Sequence, residues 1–311
     1  MRKLILDCDP GVDDATALFL AFAARSELDL LGVTTVAGNV GIEKTTRNAC
    51  MIREIAGRAD VPVYSGCVQP LVLRPEKAEA FHGAEGLGDM PAFAPRKGAE
   101  HIHAVDFLVR TLQNAAPGSV TIAITGPCTN LAAALAMDAG IAQGIAEIAV
   151  MGGARSEGGN ITASAEYNIF ADPHAAAAVI DAPVRKTFFG LDATHQVRHS
   201  EAEVAAFRGL GSRAGATIAE LFSFSNRMEM QWNGLAHAPL HDPCTIAYLL
   251  NPNLFLFRDC HIAVETKGSL TMGHTQVEFR KGYSGAFNAQ WAESADAAGV
   301  FALIREKVSR L

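Results

Sequence analysis

The chain has 311 residues, of which 49% are hydrophobic and 19% charged, and its formal net charge is −7. This composition excludes an intrinsically disordered chain, because such chains combine low hydrophobicity with high charge. The acidic balance also argues against a protein that relies on a basic nucleic-acid-binding surface, but it permits a small neutral substrate.

Three features of the sequence indicate the cellular compartment: its cysteines, its N-terminus and the length of its apolar runs. None of the six cysteines forms a C-x-x-C pair, so we expect buried thiols in a reducing cytoplasm, without a zinc site or a disulfide framework. The first predicted strand follows Met1-Arg2-Lys3 directly, which leaves no room for a cleaved leader. No apolar run reaches the ~20 residues of a membrane span. We therefore expect a cytoplasmic protein that does not cross a membrane.

The first third of the chain alternates predicted strands with predicted helices. Strands are predicted at Leu4–Cys8, Leu28–Val36 and Val61–Tyr64, with helices between them at Asp13–Ala24 and Ile42–Ala56. Consecutive strands joined by helices indicate a parallel sheet with right-handed crossovers.

A long loop then interrupts the alternation before it resumes. Residues 65–98 contain four prolines and the glycine-rich run His82–Gly88, and loops of this length are usually functional. The elements predicted after it are helix His103–Asn114, strand Val120–Ile124, helix Thr129–Met137, strand Glu147–Met151, helix Pro173–Ile180 and strand Val184–Phe189.

The last third has a less regular pattern. Its predicted elements are helices Glu201–Phe207 and Ala214–Met230, a helix that starts within residues 238–243 and runs through Leu250, strands Leu254–Phe257, His261–Thr266 and Thr275–Arg280, and a final helix Ala292–Leu311. No repeat or linker of biased composition divides the chain. We expect a single domain over residues 1–311, of the α/β class, with an open, mainly parallel central sheet flanked by helices and a Rossmann-like core.

An acidic octet, Asp7 to Asp14, follows the apolar run Leu4–Leu6. It contains four carboxylates in eight residues, and like charges this close in a partly desolvated cleft either take up protons or bind a cation. Pro10 and Gly11 predict a tight turn that folds Asp9 and Asp14 towards one point. Oxygen ligands favour Ca²⁺ or Mg²⁺. The alternative is a solvated acidic turn that caps the next helix.

Further polar residues follow other predicted strands. Asn39 comes after the second strand, Thr125 after the fourth and Asn160 after the fifth. In an open parallel sheet, ligands bind outside the carboxyl ends of the strands. We therefore expect these side chains and the acidic octet to form one site, the active site.

Two more acidic and amide side chains extend this group. Glu166 and Asn168 are two residues apart, so in an extended segment they point to the same side. Together with Asn160 they offer donors and acceptors that suit several sugar hydroxyls. The alternative is a polar loop that caps the sheet.

The histidines divide into candidates and structural residues. His241 has an ordinary pKa near neutrality, which suits a general acid, and Asp242 is predicted to cap the following helix while its other oxygen binds a metal ion. His82 lies in the glycine-rich loop and would approach a substrate if that loop closed. Each of these histidines has a purely structural alternative. His195, His199, His261 and His274 belong to no such group, and we treat them as structural.

Seven motifs, in one order along nearly the whole chain, resemble those of the nucleoside hydrolases, the inosine–uridine-preferring N-ribohydrolase family. Several spaced motifs in a fixed order are far more specific than any single one. They read DCDPGVDDA at 7–15, TTVAGN at 34–39, HGAEGLG at 82–88, TGPCTNLA at 125–132, MGGA at 151–154, GNITASAEYNIFADPHAA at 159–176 and HDPCTIAYLL at 241–250.

This resemblance implies a Ca²⁺-dependent enzyme that hydrolyses the N-glycosidic bond of ribonucleosides to ribose and a free base. It implies metal ligation by the side chains of Asp9, Asp14 and Asp242 and by the backbone carbonyl of Thr125. It assigns Asp9 as the base for the attacking water and His241 as the acid for the leaving base. The residues that it places around the ribose are Asp13, Asn39, Asn160, Glu166 and Asn168. Relatives are usually dimers or tetramers, so the resemblance implies a homo-oligomer.

The sequence departs from the family pattern on the helix before His241. Relatives with this histidine often carry tyrosines there, whereas residues 225–232 read SNRMEMQW. We expect Glu229 or Trp232 to contact the base instead, by hydrogen bonding or stacking, and the base preference stays open between purines and pyrimidines.

Two other functions compete with the hydrolase. A haloacid-dehalogenase-type phosphatase also uses D-x-D after its first strand, but it needs a small hydroxylated residue shortly afterwards, where this chain has the run 10–14, PGVDD. The second competitor is a nucleoside- or sugar-binding protein in which the acidic octet only holds an ion.

Overall fold

A computed structural model describes residues 1–73, 79–282 and 285–311. In these residues nine strands form one sheet: β1 Arg2–Cys8, β2 Leu28–Thr35, β3 Val63–Ser65, β4 Val120–Ile124, β5 Ile145–Met151, β6 Lys186–Phe189, β7 Phe255–Val264, β8 Thr275–Glu278 and β9 Ala289–Ala295. Their order across the sheet is β3-β2-β1-β4-β5-β6-β9-β7-β8. The pairs from β3 to β9 are parallel, and β7 is antiparallel to both β9 and β8. The predicted α/β fold with a mainly parallel sheet is confirmed.

The helices cover both faces of this sheet. Within the described residues they are α1 Asp14–Ala23, α2 Ile42–Ile55, α3 Glu79–His82, α4 Ala104–Gln113, α5 Thr129–Met137, α6 Tyr167–Ala171, α7 Pro173–Asp181, α8 Leu191–Thr194, α9 Glu201–Arg208, α10 Arg213–Asn233, α11 Pro243–Leu250 and α12 Ala297–Val308. Two short 3₁₀ turns lie at Ala139–Gly144 and Pro252–Leu254. None of the helices in the described part of the chain is long and apolar enough to cross a membrane.

The core consists of two large apolar clusters, one on each face of the sheet. Strand β1 contributes Leu4 and Leu6 to one cluster and Ile5 to the other, because successive side chains of a strand point to opposite faces. The first cluster contains residues of α1, α2, α10, α11 and α12, and the second contains residues of α4, α5 and α7. Burial on both faces explains why the central strands read as continuous apolar runs.

The C-terminal region differs from the prediction in two places. The two strands predicted at Leu254–Phe257 and His261–Thr266 form the single strand β7, which pairs first with β9 and then with β8. The predicted helix Ala292–Leu311 is wrong at its start, because β9 lies between β6 and β7 in the sheet and buries Trp291. The helix begins only after Asp296, whose side chain accepts a hydrogen bond from the Gly299 amide as its N-cap.

The long loop 65–98 is also more structured than predicted, since it contains the short helix α3. Residues 74–78 of this loop lie outside the described residues. The short helices α6 and α8 were not predicted, because one or two turns give no helical periodicity to detect.

The parallel register brings the carboxyl ends of the central strands to one edge. Asp7 on β1 is paired with Thr34 on β2 and with Ile124 on β4, and Ile124 is paired with Val150 on β5. The segments that follow these strands therefore leave the sheet side by side, and they carry the predicted site residues.

Candidate active site

The turn after β1 holds Asp9 and Asp14 in place. The Gly11 amide donates to Asp14 Oδ2 at 2.9 Å, and the Asn39 amide donates to Asp9 Oδ2 at 2.8 Å. The Asn39 side chain contacts both aspartates, because its Nδ2 donates to the backbone carbonyl of Asp9 at 3.1 Å and to Asp14 Oδ2 at 3.2 Å. The turn therefore holds both carboxylates against Asn39.

Asp9 sits in a cradle that only glycine leaves open. A Cβ atom on Gly38 would lie 2.0 Å from Asp9 Oδ2, and a Cβ on Gly126 would lie 2.7 Å from Oδ1. Asp9 is completely buried, and among the described residues no donor hydrogen-bonds to its Oδ1. A buried carboxylate oxygen without a partner is costly unless something else binds it.

Three carboxylates form a second group beside Asp9. One oxygen from each of Asp13, Asp14 and Asp242 lies within 4.8 Å of the others. The sequence-based assignment gave Asp13 to the sugar rather than to this group. Asp242 occupies the N-cap position of α11 but its side chain makes no capping hydrogen bond, so the predicted capping role is wrong.

Burial and mutual repulsion dominate the electrostatics of this acidic cluster. Burial, followed by the neighbouring carboxylates, raises the pKa of Asp9 and of Asp242 well above the ordinary value. The same causes raise the pKa of Asp14 to about 7. An oxygen-only donor set with these properties fits a hard divalent cation, which would lower all three values.

Thr125 and Asp7 support the cluster from neighbouring strands. Thr125 Oγ1 donates to Asp14 Oδ1 at 2.8 Å. Asp7 Oδ1 accepts from Thr34 Oγ1 at 2.6 Å and from Asn130 Nδ2 at 2.8 Å, while burial raises the pKa of Asp7 to about 6. These contacts tie β1, β2, β4 and α5 together directly beneath the site.

Glu166 and Asn168 lie at the start of α6. Glu166 is the N-cap of α6, and its carboxylate accepts from the amides of Gly153, Asn168 and Ile169 at 2.8 to 3.1 Å. The prediction of an extended segment here is therefore wrong. Burial raises the pKa of Glu166 to about 7 despite these three donors.

The side-chain amides in this region bridge separate elements. Asn168 Nδ2 donates to the carbonyl of Thr125 at 3.0 Å and to that of Met151 at 3.2 Å, which links α6 to the ends of β4 and β5. Asn160 is exposed, and its Oδ1 accepts from the Tyr167 amide at 2.9 Å. The carbonyl of Thr125 is thus held in place by Asn168.

Two of the predicted histidines, His241 and His82, also lie in this region. His241 Nδ1 lies 2.8 Å from Thr194 Oγ1, and burial lowers the pKa of His241 to about 4. The Val12 amide donates to His82 Nδ1 at 3.3 Å, and burial also lowers the pKa of His82.

Glu229 and Trp232 lie on the last turns of α10 and differ in exposure. Glu229 is 5% exposed and lies 3.5 Å from the Arg198 guanidinium, and it also accepts from Asn233 Nδ2 at 3.0 Å. Trp232 is 58% exposed.

These side chains face one cavity of about 600 Å³. The predicted residues that line it are Asp13, Asn39, His82, Thr125, Asn160, Glu166, Asn168, Glu229, Trp232, His241 and Asp242. Asp9 and Asp14 are completely buried. Asp9 accepts a hydrogen bond from Asn39, and Asp14 accepts one from Thr125, and both of these partners line the cavity.

The cavity wall also contains residues that sequence reasoning left out. His195, Arg198 and His199 line it, although the two histidines were treated as structural. His199 is buried and stacks on Phe222 with the ring centroids 4.1 Å apart. A usable signal existed, because His195 comes shortly after β6 and the carboxyl-end rule applies to that strand too.

Comparison with known proteins assigns the chain to a family. Residues 4–302 match the profile of the inosine-uridine preferring nucleoside hydrolases. The chain belongs to this family. The resemblance predicted from the motifs is confirmed, and the protein is an enzyme, an N-glycosyl hydrolase.

Individual relatives of this nucleoside hydrolase agree over nearly the whole chain. The pyrimidine-specific ribonucleoside hydrolase RihA of a Shewanella species is 42% identical over 280 residues, which cover 89% of this chain and 86% of the relative. The structure of a plant nucleoside hydrolase has a TM-score of 0.93 at 30% identity and covers 99% of both chains. A purine-preferring ribonucleoside hydrolase from Gardnerella vaginalis has a TM-score of 0.92 at 31% identity, covering 99% of this chain and 98% of that one.

The raised pKa of Glu166 predicts a pH-dependent stability for this nucleoside hydrolase. The pKa rises from 4.5 to about 7 on folding, so the folded state binds the proton more tightly, and the resulting stability is lost as the pH rises through 7. Glu166→Gln removes this dependence but also loses an amide hydrogen bond. We expect the wild type to exceed the variant in stability most below pH 4.5, and the gap to shrink by up to about 3 kcal/mol as the pH rises from 4.5 through 7.

The measurement is urea unfolding with chelator present, so that no ion contributes. Glu306→Gln, which changes an exposed glutamate that is ion-paired with Arg310, should follow the wild-type pH profile. A gap between the wild type and Glu166→Gln that stays constant with pH would contradict the expectation.

Proposed function

We propose that this protein is a Ca²⁺-dependent hydrolase of purine and/or pyrimidine ribonucleosides, which releases ribose and the free base. The observation that carries the proposal is the fully buried Oδ1 of Asp9, which has no hydrogen-bond partner among the described residues and lies beside a cluster of three further carboxylates. This group lies against a cavity whose wall is rich in amide and carboxylate side chains. Such a wall suits a polyhydroxylated sugar.

The residues that would hold the metal ion are Asp9, Asp14, Asp242 and the carbonyl of Thr125. Their donors are oxygens only, which favours Ca²⁺ over a transition metal. The raised pKa values of these buried acids support a cation as their natural counter-charge. When bound, the ion supplies the positive charge that orients a water molecule and the sugar hydroxyls and favours loss of a proton from that water.

Asp9 acts as the base in this proposal. Its Oδ2 is occupied by the Asn39 amide, while its Oδ1 has no partner among the described residues. The free oxygen is therefore the atom that takes a proton from the attacking water. The glycines at 38 and 126 keep the carboxylate in this orientation because a larger residue would collide with it.

The ribose is held by Asp13, Asn39, Asn160, Glu166 and Asn168. The transition state of glycosidic cleavage resembles an oxocarbenium ion, which carries positive charge on the sugar. Carboxylates and amide oxygens fixed in advance around the ring stabilise that charge without reorganising. The hydrogen bonds of Glu166 to three backbone amides provide such fixation.

The leaving base lies at the histidine end of the cavity. His241, held by Thr194, is the proton donor to the departing base, which makes the base a better leaving group. Because burial lowers its pKa to about 4 in the free protein, it gains this proton only when negative charge develops on the base. His82, Glu229 and Trp232 contact the base from the surrounding walls. The exposed indole of Trp232 suits stacking, and the buried carboxylate of Glu229 suits an N–H donor of the base.

One assay tests the proposed function. The protein is incubated with inosine, uridine, cytidine and adenosine, with Ca²⁺ or with chelator, and ribose release is measured as reducing sugar. We expect release that depends on Ca²⁺. Absence of release from every nucleoside, together with activity on a phosphomonoester, would favour a phosphatase, and tight nucleoside binding without turnover would favour a binding protein.

Asp9→Asn tests the base. The amide cannot take a proton from water, so we expect ribose release to fall by about 10²-fold or more, while thermal unfolding shows an intact fold. Asp259→Asn, which alters an exposed aspartate on β7, is the matched control and should leave the rate unchanged. Turnover near the wild-type value in Asp9→Asn would show that Asp9 is not the base.

His241→Ala tests the acid through the leaving group. An activated nitrophenyl riboside needs no proton on its leaving group, whereas a natural nucleoside does. We expect the variant to lose about 10²- to 10⁴-fold in kcat on inosine and much less on the nitrophenyl riboside. Equal losses on the two substrates would argue against proton donation by His241.

A further inference from the structure

A further histidine in the cavity wall is paired with a carboxylate. His195 Nδ1 lies 2.9 Å from Glu157 Oε2, and both residues line the cavity. His195 is partly buried and Glu157 is exposed. The pair was not apparent from the sequence, because the two residues are 38 positions apart.

The backbone around this pair is fixed by hydrogen bonds. The carboxylate of Asp192, on α8, accepts from the amides of Arg155 and Ser156, both at 2.8 Å. The Leu191 amide donates to the carbonyl of Gly153 at 2.9 Å. The segment that carries Glu157 is therefore attached at three points to the helix that precedes His195, and it holds the carboxylate where it meets the imidazole.

His195 also lies beside His241. The centroids of the two rings are 5.7 Å apart, and Thr194, the residue before His195, contacts His241 Nδ1. Arg198 Nε donates to the His195 carbonyl at 3.0 Å, which fixes the chain on the other side. Two neighbouring imidazoles thus line the same part of the cavity wall, and one of them has a carboxylate partner.

A carboxylate on one ring nitrogen changes what the other nitrogen does. It fixes the tautomer with the proton on Nδ1, orients the ring, and stabilises the imidazolium when Nε2 is also protonated. We propose that His195, held by Glu157, is a second proton donor to the leaving base and acts together with His241. This inference rests on the proposed ribonucleoside hydrolysis.

The step balances without any further reactant. The bond between C1′ and the base nitrogen breaks with its electron pair on the base, and the base takes a proton from the histidine pair. Water forms the new bond to C1′ and gives a proton to Asp9. The histidine pair then recovers a proton from solvent and Asp9 releases one, so that the net change is the addition of one water molecule.

The test compares His195→Gln and Glu157→Gln on two kinds of substrate. On uridine and inosine we expect His195→Gln to lower kcat by about 10-fold or more, with little change on the nitrophenyl riboside. Glu157→Gln should show a smaller loss of the same selectivity, because its amide oxygen still accepts from Nδ1 but carries no charge. A structural role alone would affect both substrates equally, and that result would overturn the inference.

Two controls and one double variant complete the experiment. His101→Gln and Glu306→Gln change exposed residues outside the cavity lining and should leave all rates unchanged. If His195 and His241 serve one proton transfer, the double variant should lose less than the product of the single losses. A loss equal to that product would contradict the shared step.

Failure of this inference is distinguishable from failure of the proposed function. A wild type that hydrolyses nucleosides, with variants that lose activity equally on all substrates, would reject only the role of His195. A wild type that releases no ribose from any nucleoside would reject the hydrolase itself, and the inference with it.

Discussion

Burial of several carboxylates at one edge of a sheet is the constraint on which this structure depends. Within the described residues, no ion pair with lysine or arginine involves Asp7, Asp9, Asp14 or Asp242. The protein instead places amide and hydroxyl donors around Asp7, Asp9 and Asp14, which compensate part of the desolvation. The incomplete compensation leaves the raised pKa values. In the proposed function, an external cation would supply the missing counter-charge.

The sequence predicted the centre of this site because parallel strands obey a simple rule. Asn39, Thr125 and Asn160 were placed together since each follows a strand, and the register of β2, β1, β4 and β5 brings their carboxyl ends to one edge. Glu166 joined them for a wrong reason, because it caps α6 instead of lying in an extended segment. The rule is robust since it needs only the order of strands and not the local conformation.

Contacts between distant segments were beyond such reasoning. The pairing of Glu157 with His195 depends on how Asp192 fastens the glycine-rich segment to α8, and no periodicity encodes this. The prediction assigns the last four residues of β9, Ala292–Ala295, to the final helix because three of the four are alanine or glutamate, which favour helices. Packing of Trp291 in the sheet overrides that preference.

The place of β9 also has a consequence for how the chain is made. Its parallel partner β6 ends about a hundred residues earlier, with Thr187 paired to Gln290. Among the described strands, β7 joins the main sheet through β9 alone. During synthesis, the edge of β6 therefore stays unpaired while α8 to α11 and β7 emerge, and the sheet closes only when β9 arrives. A nascent chain in this interval exposes an unpaired strand edge, which is open to pairing with other chains.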